Sequence, residues 1–378
     1  MPLASIGGTE TVHTDVLEVL KSNYLNIYIR YRTNIWKGRG WAKTPEAKSE
    51  GKMMVDTWRN LGARVSFMSP YLEAIRLGRI VRYIYIRFLS YKINRSPNPV
   101  VIFWHRDSIR DVLPYIKPNI PIIDIVHNNS NSVKPDPDYL LVDMAPRINQ
   151  RIVVSPFLKQ MLHGLYEQME YPRSFLERIS IIPHKVHIPP AITPKQPLEV
   201  MQVLFAGRFA VEKRFHLFLR IVKQIAQSDQ QKNFHFHIAG PEQKNFPEFA
   251  NITGITWHGM VSDPLKMSQI YAQAHALVLT SSSEGFPKVI AEAGAYGVVP
   301  ISTKVGGIGD FVINDQNGIL IDSLNEEHIQ QETVDALIHI RNNPTIFQTL
   351  SNSMYNSCKE NFAAGSFKNN WLKTISNA

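Results

Sequence analysis

Short apolar runs alternate along the chain with longer stretches of helical periodicity. Six such runs lie in the first half, at residues 26–31, 63–68, 99–104, 120–126, 150–155 and 178–183, and five in the second half, at residues 200–206, 234–240, 255–259, 276–281 and 298–304. Several are continuously apolar and rich in β-branched residues, which is typical of parallel strands covered on both faces. The alternation predicts an α/β protein built from doubly wound sheets.

A proline-rich segment separates the two halves. Residues 187–199 read HIPPAITPKQPLE, a composition typical of a linker. At 378 residues the chain exceeds the length at which one hydrophobic core usually keeps growing. We therefore predict two domains, residues 1–195 and 196–378, and we expect the helical tail from Pro344 to Ala378 to pack on the first domain.

Positive charge is concentrated in the first half of the chain. Residues 1–199 carry 27 Lys and Arg against 17 Asp and Glu, whereas residues 200–378 carry 14 against 15. This asymmetry indicates either an anionic partner, such as lipid headgroups, a phosphorylated acceptor or nucleic acid, or a generally solvated basic surface. Because no aromatic-basic RNA signature or DNA-reading motif accompanies the charge, we expect no nucleic-acid partner.

One segment of the basic half has the pattern of an amphipathic helix. In residues 74–92, Arg76, Arg79, Arg82 and Arg87 fall within an arc of about 140°, and the adjacent arc is apolar. The apolar arc consists of Leu77, Ile80, Val81, Ile84 and Phe88. Such a helix can lie on an anionic bilayer, or it can pack its apolar face on a sheet. The charge of the whole half favours the membrane surface.

Cysteine content and hydropathy limit the cellular setting. Cys358 is the single cysteine, so an internal disulfide is impossible. The N-terminus lacks a secretory pattern, and no segment has the ~18 uncharged apolar residues that a spanning helix needs. We expect a cytoplasmic protein that is peripheral on the inner face of the cell membrane.

Cationic side chains follow the first strand of the second half. In VLFAGRFAVEKR, residues 203–214, the apolar run ends at Gly207, and Arg208 and Lys213 lie in the loop behind it. Ligands of open α/β sheets bind at the carboxyl ends of strands. Two cations there could neutralise a diphosphate, although a Gly-Arg turn beside a lysine is also common on protein surfaces.

A second candidate segment is TSSSEGFPKVIAEAGAYG, residues 280–297. Its Pro287 suits the first turn of a helix. The backbone amides of Phe286, Lys288 and Val289 would then lie at the N-terminus of that helix, where they can bind an anion. Glu284 and Glu292 flank this point. Carboxylates accept hydrogen bonds from hydroxyl groups, and a nucleotide sugar presents hydroxyls on both sides of its diphosphate. Glutamate pairs at this spacing also occur by chance in helical proteins.

The two segments together, with PISTKVGGIGDFV and NGILI after them, resemble the C-terminal domain of GT-B retaining glycosyltransferases of family 4. The resemblance is strong over residues 200–325. It implies that Gly207, Arg208 and Lys213 lie at the pyrophosphate, that Glu292 binds the ribose hydroxyls, and that Glu284 binds a sugar hydroxyl. Donor contacts are likewise implied for Gly285, Phe286, Pro287, Lys288 and Val289. Arg214 departs from the family, which usually has glycine after the lysine.

The first half matches the same family more loosely. SIGGTETVHTDVLEVL, residues 5–20, resembles its glycine-rich first loop, in which Gly7 and Gly8 would let the backbone approach substrate. His127, after the run IIDIV, occupies the position of a family histidine that faces the donor sugar; His105 is a rival, and packing alone could also explain a histidine at a strand end. Where many relatives read Pro-Asn-Gly, this chain reads Pro183, His184, Lys185.

A metal site is not expected. Asp136 and Asp138 form an Asp-x-Asp, which in another glycosyltransferase fold would chelate a metal with the diphosphate, but the chain already has a cationic phosphate site.

The resemblance implies retaining transfer of a sugar from a nucleotide-diphosphate sugar to a hydroxyl of a glycan or lipid-linked acceptor. We expect this transfer to need neither a metal ion nor a further cofactor, and to serve cell-surface polysaccharide or lipopolysaccharide synthesis. The alternative is a non-catalytic GT-B module in a polysaccharide-assembly complex.

Overall fold

The computed structural model describes residues 8–21, 27–32, 56–68, 76–103, 106–128, 136–138, 140–192, 195 and 199–378. Its strands are β1 (Ile27–Arg32), β2 (Ala63–Met68), β3 (Val101–Phe103), β4 (Ile122–Val126), β5 (Gln150–Val153), β6 (Ile179–Ile181), β7 (Met201–Ala206), β8 (Phe234–Ala239), β9 (Ile255–Gly259), β10 (Ala276–Leu279), β11 (Val299–Thr303) and β12 (Ile319–Ile321). All eleven predicted strands are present in it, and β12 is an addition.

Helices connect these strands in the alternation that the sequence predicts. They are α1 (Gly8–Lys21), α2 (residues 56–60), α3 (Arg76–Arg95), α4 (Arg106–Val112), α5 (Pro156–Gln168), α6 (Arg173–Leu176), α7 (Phe215–Ala226), α8 (Pro264–Gln273), α9 (Lys288–Gly294), α10 (Glu326–Asn342), α11 (Pro344–Asn361) and α12 (Ala364–Ser376). Within the described ranges, none of the helices combines the length and the hydropathy that crossing a membrane requires.

The sheet of the second half has six parallel strands in the order β12-β11-β10-β7-β8-β9. The chain adds β8 and β9 on one side of β7 and returns to add β10, β11 and β12 on the other. The winding direction therefore reverses between β7 and β10, and at such a switch point the loops behind the two strands diverge and leave a crevice. The residues that follow β7 and β10 thus line the natural ligand site of this sheet.

The first half contributes a parallel sheet in the order β3-β4-β5-β6 and a separate parallel pair, β1-β2. His127, Ser155 and His184 follow β4, β5 and β6, so they lie along one edge of the four-stranded sheet. The expected fold class, α/β with two Rossmann-like domains, is confirmed. This sheet ends at residue 181 and the second begins at residue 201.

Apolar packing joins the two halves. One core cluster contains Val126 and Leu158 from the first half together with Leu279 and Phe286 from the second. A second cluster lies within the second half, where Phe205 and Phe236 pack beneath α7 and α10. Since buried apolar side chains from both halves share the first cluster, the carboxyl edges of the two sheets are held face to face.

Of the helical tail that we expected on the first domain, α12 packs there, whereas Phe347 and Leu350 of α11 lie in the core of the second domain. Phe367, Trp371 and Ile375 of α12 pack with Val16 of α1 and Ile123 of β4 in one buried cluster. Trp371 is only 1% exposed, so this helix is part of the first domain's core.

The proline-rich linker is fastened to the second domain at several points. Lys195 Nζ donates to the carbonyls of Tyr271, Ala272 and Ala274, which end α8. A lysine at this position satisfies carbonyls that have no partner within the helix. Burial lowers the pKa of Lys195 to about 8. Earlier in the linker, the Tyr355 hydroxyl donates to the carbonyl of Pro189.

Candidate functional site

The loop behind β7 is held in place by an arginine in a left-handed conformation. Arg214 has φ 44° and ψ 47°, a region that glycine enters without steric cost and other residues do not. Its side chain offsets that cost, because Nε donates to the Thr280 carbonyl at 2.6 Å and an Nη donates to the Ser281 carbonyl at 3.0 Å. The two hydrogen bonds therefore hold Arg214 in a conformation that is usually taken by glycine.

The same contacts fix the position of Lys213. The Thr280 hydroxyl donates to the Lys213 carbonyl at 3.2 Å, and the Ser282 amide donates to the Glu212 carbonyl at 2.8 Å. Hydrogen bonds thus join the loop behind β7 to the loop behind β10 across the switch point. Lys213 lies at their junction, which is where the sequence predicts a diphosphate.

Lys213 and Glu284 form an ion pair at this junction. Lys213 Nζ lies 2.5 Å from Glu284 Oε1, and the two side chains are 17% and 10% exposed. The Ser281 hydroxyl donates to the same carboxylate oxygen at 2.7 Å. The predicted diphosphate ligand and the predicted sugar ligand are therefore adjacent side chains.

Arg208 lies farther out in the loop. Its side chain is 62% exposed, and its ionic partner is Glu212, at 3.5 Å.

Gly207, which precedes Arg208, is approached closely by Gly240: a Cβ on Gly240 would lie 1.9 Å from the Gly207 carbonyl oxygen. The end of β7 thus depends sterically on Gly240, whereas a Cβ on Gly207 itself would meet only ordinary contacts.

The turn behind β10 meets the first domain at Gly285. A Cβ on this residue would lie 1.9 Å from the His127 carbonyl oxygen, so only glycine permits this approach. The Ser155 hydroxyl also donates to the Gly285 carbonyl, at 3.2 Å. The absence of a side chain at residue 285 therefore brings Glu284 next to the carboxyl edge of the first domain's sheet.

Apolar side chains after Gly285 pack into the core. Phe286 is 7% exposed and stacks on Phe362 in the core. Val289 also packs against the core. Helix α9 begins at Lys288, and Pro287 is its N-cap rather than a residue of its first turn. Of the predicted contacts in this segment, only the Lys288 side chain forms ion pairs in the cleft.

Glu292 is positioned by a buried tyrosine. The Tyr271 hydroxyl donates to Glu292 Oε2 at 3.0 Å, and Lys288 Nζ lies 3.6 Å from Oε1. Burial, with the neighbouring carboxylate, raises the pKa of Tyr271 well above its ordinary value, so the hydroxyl keeps its proton. Glu292 is therefore held from two sides at one end of the crevice.

An ion-pair network crosses the cleft between the two domains. Asp15 of α1 lies 3.5 Å from Lys288 and 3.1 Å from Lys185, and Lys185 also lies 2.5 Å from Glu18. Burial raises the pKa of Asp15, although the two lysines oppose that shift. Lys185 thus connects the loop behind β6 to α1.

Three histidines lie together on the first-domain side of the cleft. His13 Nε2 and His127 Nε2 are 3.0 Å apart, and the rings of His127 and His184 stack with centroids 6.0 Å apart. Burial lowers the pKa of His127 to about 4 and the pKa values of His13 and His184 well below their usual range. All three rings are therefore neutral at pH 7.

Five further residues belong to the sequence prediction: Gly7, Gly8, His105, Asp136 and Asp138. Gly8 begins α1, while Gly7 and the rival His105 lie outside the described residues. Asp138 accepts a hydrogen bond from Arg110 at 2.8 Å, and Asp136 Oδ1 accepts from the Asp138 amide at 3.1 Å. The Asp-x-Asp is thus engaged in local contacts of the first domain.

Sequence reasoning missed several residues of this site. Tyr271 reads as an apolar position of α8, and His13 and Asp15 read as polar positions of α1. Lys288 was predicted only for its place behind the turn, yet it pairs with Asp15, 273 residues away. Contacts at such separations leave no periodic signal in the chain.

The sequence of the second domain matches a known family. Residues 201–339 match the family model described as "Glycosyl transferases group 1". An uncharacterized glycosyltransferase of Methanocaldococcus jannaschii is 27% identical over 177 residues, which are 46% of this chain and 45% of that protein. The 2-deoxystreptamine N-acetyl-D-glucosaminyltransferase of Niallia circulans is 30% identical over 144 residues, 36% of each chain. The matched segments thus span less than half of these relatives.

Solved GT-B structures match the whole chain in fold. Anabaena HepE in complex with UDP-glucose superimposes with a TM-score of 0.70 at 14% identity, covering 100% of this chain and 98% of that one. The lipopolysaccharide outer core galactosyltransferase WaaB gives 0.67 at 19% identity, covering 100% and 99%. The fold of this protein is therefore GT-B, and its second domain is similar in sequence to the group 1 glycosyltransferases.

Proposed function

We propose that this protein is a glycosyltransferase that moves a sugar from a nucleotide-diphosphate sugar to a hydroxyl group of a glycan or lipid-linked acceptor. The observation that carries the proposal is the group of Lys213, Glu284 and Glu292 at the switch point between β7 and β10. The family match of residues 201–339 covers all three residues, and several GT-B structures of the same fold contain UDP. Synthesis of cell-surface polysaccharide or lipopolysaccharide is the process that we propose for it.

The charges of the site fit the parts of such a donor. Lys213, with Arg208 farther out, faces the crevice that would receive the diphosphate, while Glu292 would accept hydrogen bonds from ribose hydroxyls and Glu284 from a sugar hydroxyl. Transfer requires the bond between the anomeric carbon and the diphosphate to break, so negative charge develops on the leaving group. Preorganised cations and amides stabilise such charge, and removing one donor typically costs about 2.7–4 kcal/mol of barrier.

We further propose that transfer retains the anomeric configuration and needs no metal ion. The cations of the loop behind β7 would stabilise the charge of the leaving diphosphate, as a metal ion does in metal-dependent glycosyltransferases. Retention would proceed by attack on the face that the leaving group vacates, with the departing phosphate assisting the acceptor hydroxyl. His127, neutral at pH 7, would orient the sugar; a neutral imidazole carries no charge to oppose the positive character of the reacting carbon.

Donor binding and slow hydrolysis test this function without a known acceptor. Thermal shift with UDP-glucose, UDP-N-acetylglucosamine, GDP-mannose and the matching diphosphates should identify one stabilising nucleotide class. The stabilising sugar donor should then be hydrolysed slowly, and EDTA should not slow hydrolysis. Binding without any turnover would favour the non-catalytic module, and binding of no nucleotide would reject the donor site. Loss of hydrolysis in EDTA would reject metal independence alone.

An anionic membrane surface is the second partner that we propose. Helix α3 exposes Ile80, Tyr83, Ile84, Phe88 and Tyr91, each more than half exposed; we call these residues the α3 exposed face. Its opposite face, which includes Ile86 and Ser90, is buried. Three residues of the predicted apolar arc, Ile80, Ile84 and Phe88, are thus turned outward.

Cations accompany this apolar surface. Lys92 lies over the Phe88 ring and Arg95 over the Tyr91 ring, with 4.8 Å and 4.6 Å between charge and centroid. An exposed apolar patch of this kind marks an interaction site, and basic residues beside aromatic ones favour the interface of an anionic bilayer. Binding there would place the cleft close to a lipid-linked acceptor.

A further inference from the structure

Two buried imidazole nitrogens on the first-domain side of the cleft lack a hydrogen-bond partner among the described residues. His127 Nδ1 and His184 Nδ1 are both shielded from solvent, and neither has a hydrogen-bond partner among the described residues. Leaving a buried polar atom unsatisfied costs about 1–3 kcal/mol, so such atoms in a native structure call for an explanation. Two of them in stacked rings indicate a position that a ligand completes.

The surroundings of the two rings narrow the choice of ligand. His127 Nε2 is already engaged by His13 Nε2 at 3.0 Å, so Nδ1 is the nitrogen that remains for other contacts. His184, at the end of β6, is 5% exposed, and the charge of Lys288 in the predicted donor segment acts on it across the cleft. Since the His127 carbonyl lies against Gly285, the backbone that carries the His127 ring adjoins the turn that carries Glu284.

The chemistry of neutral imidazole favours hydroxyl groups. A neutral ring has one donor and one acceptor nitrogen, and a hydroxyl group can both donate and accept. Phosphate and carboxylate groups, in contrast, only accept when ionised, and they favour cations. Under the proposed function, Lys213 and Glu292 bind the diphosphate and the ribose. The sugar is the remaining hydroxyl-bearing part of the donor.

We propose that His184 is a sugar-binding residue, which together with His127 hydrogen-bonds hydroxyl groups of the donor's sugar. This inference rests on the proposed function and adds to it a specificity-determining residue in the loop behind β6. The loop reads Pro183, His184, Lys185, and Lys185 holds it to α1 through Asp15 and Glu18. The ion pairs therefore fix the backbone next to His184 and, with it, the position of the ring that stacks on His127.

Two substitutions separate hydrogen bonding from packing. His184→Phe keeps a flat ring that can stack on His127 but removes both nitrogens. His184→Asn removes the ring but places its amide atoms, attached to Cγ, where Nδ1 stands in histidine. If His184 binds the sugar, Phe is the damaging substitution and Asn the tolerated one; if His184 only packs, the order is reversed.

The measurement is calorimetric titration of full-length protein with the best-binding nucleotide sugar from the panel above and with its nucleoside diphosphate. We expect His184→Phe to weaken nucleotide-sugar affinity about three- to tenfold and to leave diphosphate affinity within about twofold, with His184→Asn between it and wild type. His163→Phe is the matched control, because His163 Nε2 is also buried without a described partner but lies in the middle of α5.

Three results would overturn the inference. If His184→Phe left the affinity for the nucleotide sugar unchanged, His184 would not contact the sugar. If the variant lost equal affinity for the nucleotide sugar and for the nucleoside diphosphate, the substitution would have damaged the structure. A greater loss in His184→Asn than in His184→Phe would assign the residue to packing. Failure of the proposed function looks different, because wild-type protein would then bind neither the nucleotide sugars nor the diphosphates, and the inference would fall with it.

Discussion

Lys213 Nζ lies 2.5 Å from Glu284 Oε1, so the cation predicted for the diphosphate and the carboxylate predicted for the sugar neutralise each other. A bound diphosphate would therefore compete with Glu284 for the lysine. The pair also explains how two charged side chains, 17% and 10% exposed, can lie together between two loops. Its strength should set the balance between binding of the nucleotide and binding of the sugar.

Replacing Glu284 should thus have opposite effects on two ligands. We expect Glu284→Gln to bind the nucleoside diphosphate about threefold or more tightly, because Lys213 loses its competing carboxylate, while hydrolysis of the nucleotide sugar slows. Lys213→Met should weaken diphosphate binding by about tenfold or more. Calorimetry and a hydrolysis assay measure both effects. Weaker diphosphate binding in Glu284→Gln would contradict the competition.

Tyr271 should act on donor binding through Glu292. We expect Glu292→Ala to weaken nucleotide affinity by about 1.5–3 kcal/mol, the usual range for a hydrogen bond to a charged group, and Tyr271→Phe by about 0.5–1.5 kcal/mol. In the double variant the two losses should not add, since the tyrosine acts through the carboxylate. Tyr296→Phe is the control, because its ring neighbours Tyr271. Unchanged affinity in Glu292→Ala would contradict the ribose assignment.

Arg214 should be replaceable by glycine at a lower cost than by alanine. Both substitutions lose the bonds to the carbonyls of Thr280 and Ser281, but only glycine relieves the left-handed backbone. We expect Arg214→Gly to be more stable than Arg214→Ala by about 1 kcal/mol, and both to be less stable than wild type. Urea unfolding measures this order. Equal stability of the two variants would show that the backbone at this position is unstrained.

Acidification should destabilise the protein between about pH 6.5 and pH 4. Burial lowers the pKa values of His127, His237 and His275 to about 4. A base whose pKa is depressed by folding contributes stability above its unfolded pKa and loses it as the pH falls towards the folded value. Asp124, whose pKa burial raises to about 6, acts in the opposite direction, but the histidines outnumber it.

Urea midpoints at pH 7.5 and pH 5 test this dependence. His275→Asn should reduce the difference between the two midpoints, because the amide oxygen can still accept from the Gln202 amide but no longer titrates. His216→Asn is the control, since His216 lies on the surface beside Glu326. A midpoint that rises on acidification would show that the carboxyl groups dominate.

Membrane binding should depend on both the charges and the α3 exposed face. Neutralising Lys92 and Arg95 together, the cations that lie over the rings of Phe88 and Tyr91, should reduce binding to phosphatidylglycerol-containing liposomes by about thirtyfold, at roughly 1 kcal/mol per cation. Ile84→Ser with Phe88→Ser should also weaken it, whereas Leu324→Ser, an exposed apolar residue of the second domain, should not. Sedimentation measures binding, and equal sedimentation of all variants would reject the membrane partner.

The sequence predicted the fold better than it predicted the contacts of the site. Eleven strands were found because each is a short run rich in apolar and β-branched residues between helical or turn-forming stretches. β12 was missed because its three residues, Ile319–Ile321, carry too little pattern. The return of α12 to the first domain leaves no signal in the periodicity of the chain.

Within the site, the sequence indicated where each residue lies along the chain but not which side chains contact each other. Lys213 and Glu284 were each located correctly at strand ends of the second sheet, but their mutual ion pair depends on loop geometry. The cross-cleft pair of Asp15 and Lys288 depends on how the two domains meet. The histidine at residue 184 was noted only as a departure from the family, since its stacking on His127 joins loops behind two different strands.

The chain crosses between the domains twice, once after β6 and once between α11 and α12. The linker is fastened to the second domain from Pro189 onward, by Tyr355 and Lys195, and α12 is fixed in the core of the first. The Val186 amide donates to the Phe362 carbonyl at 3.4 Å, so the two crossings run side by side. Since the only two connections between the domains among the described residues meet at this contact, any movement of one domain relative to the other would have to change the backbone close to Val186 and Phe362.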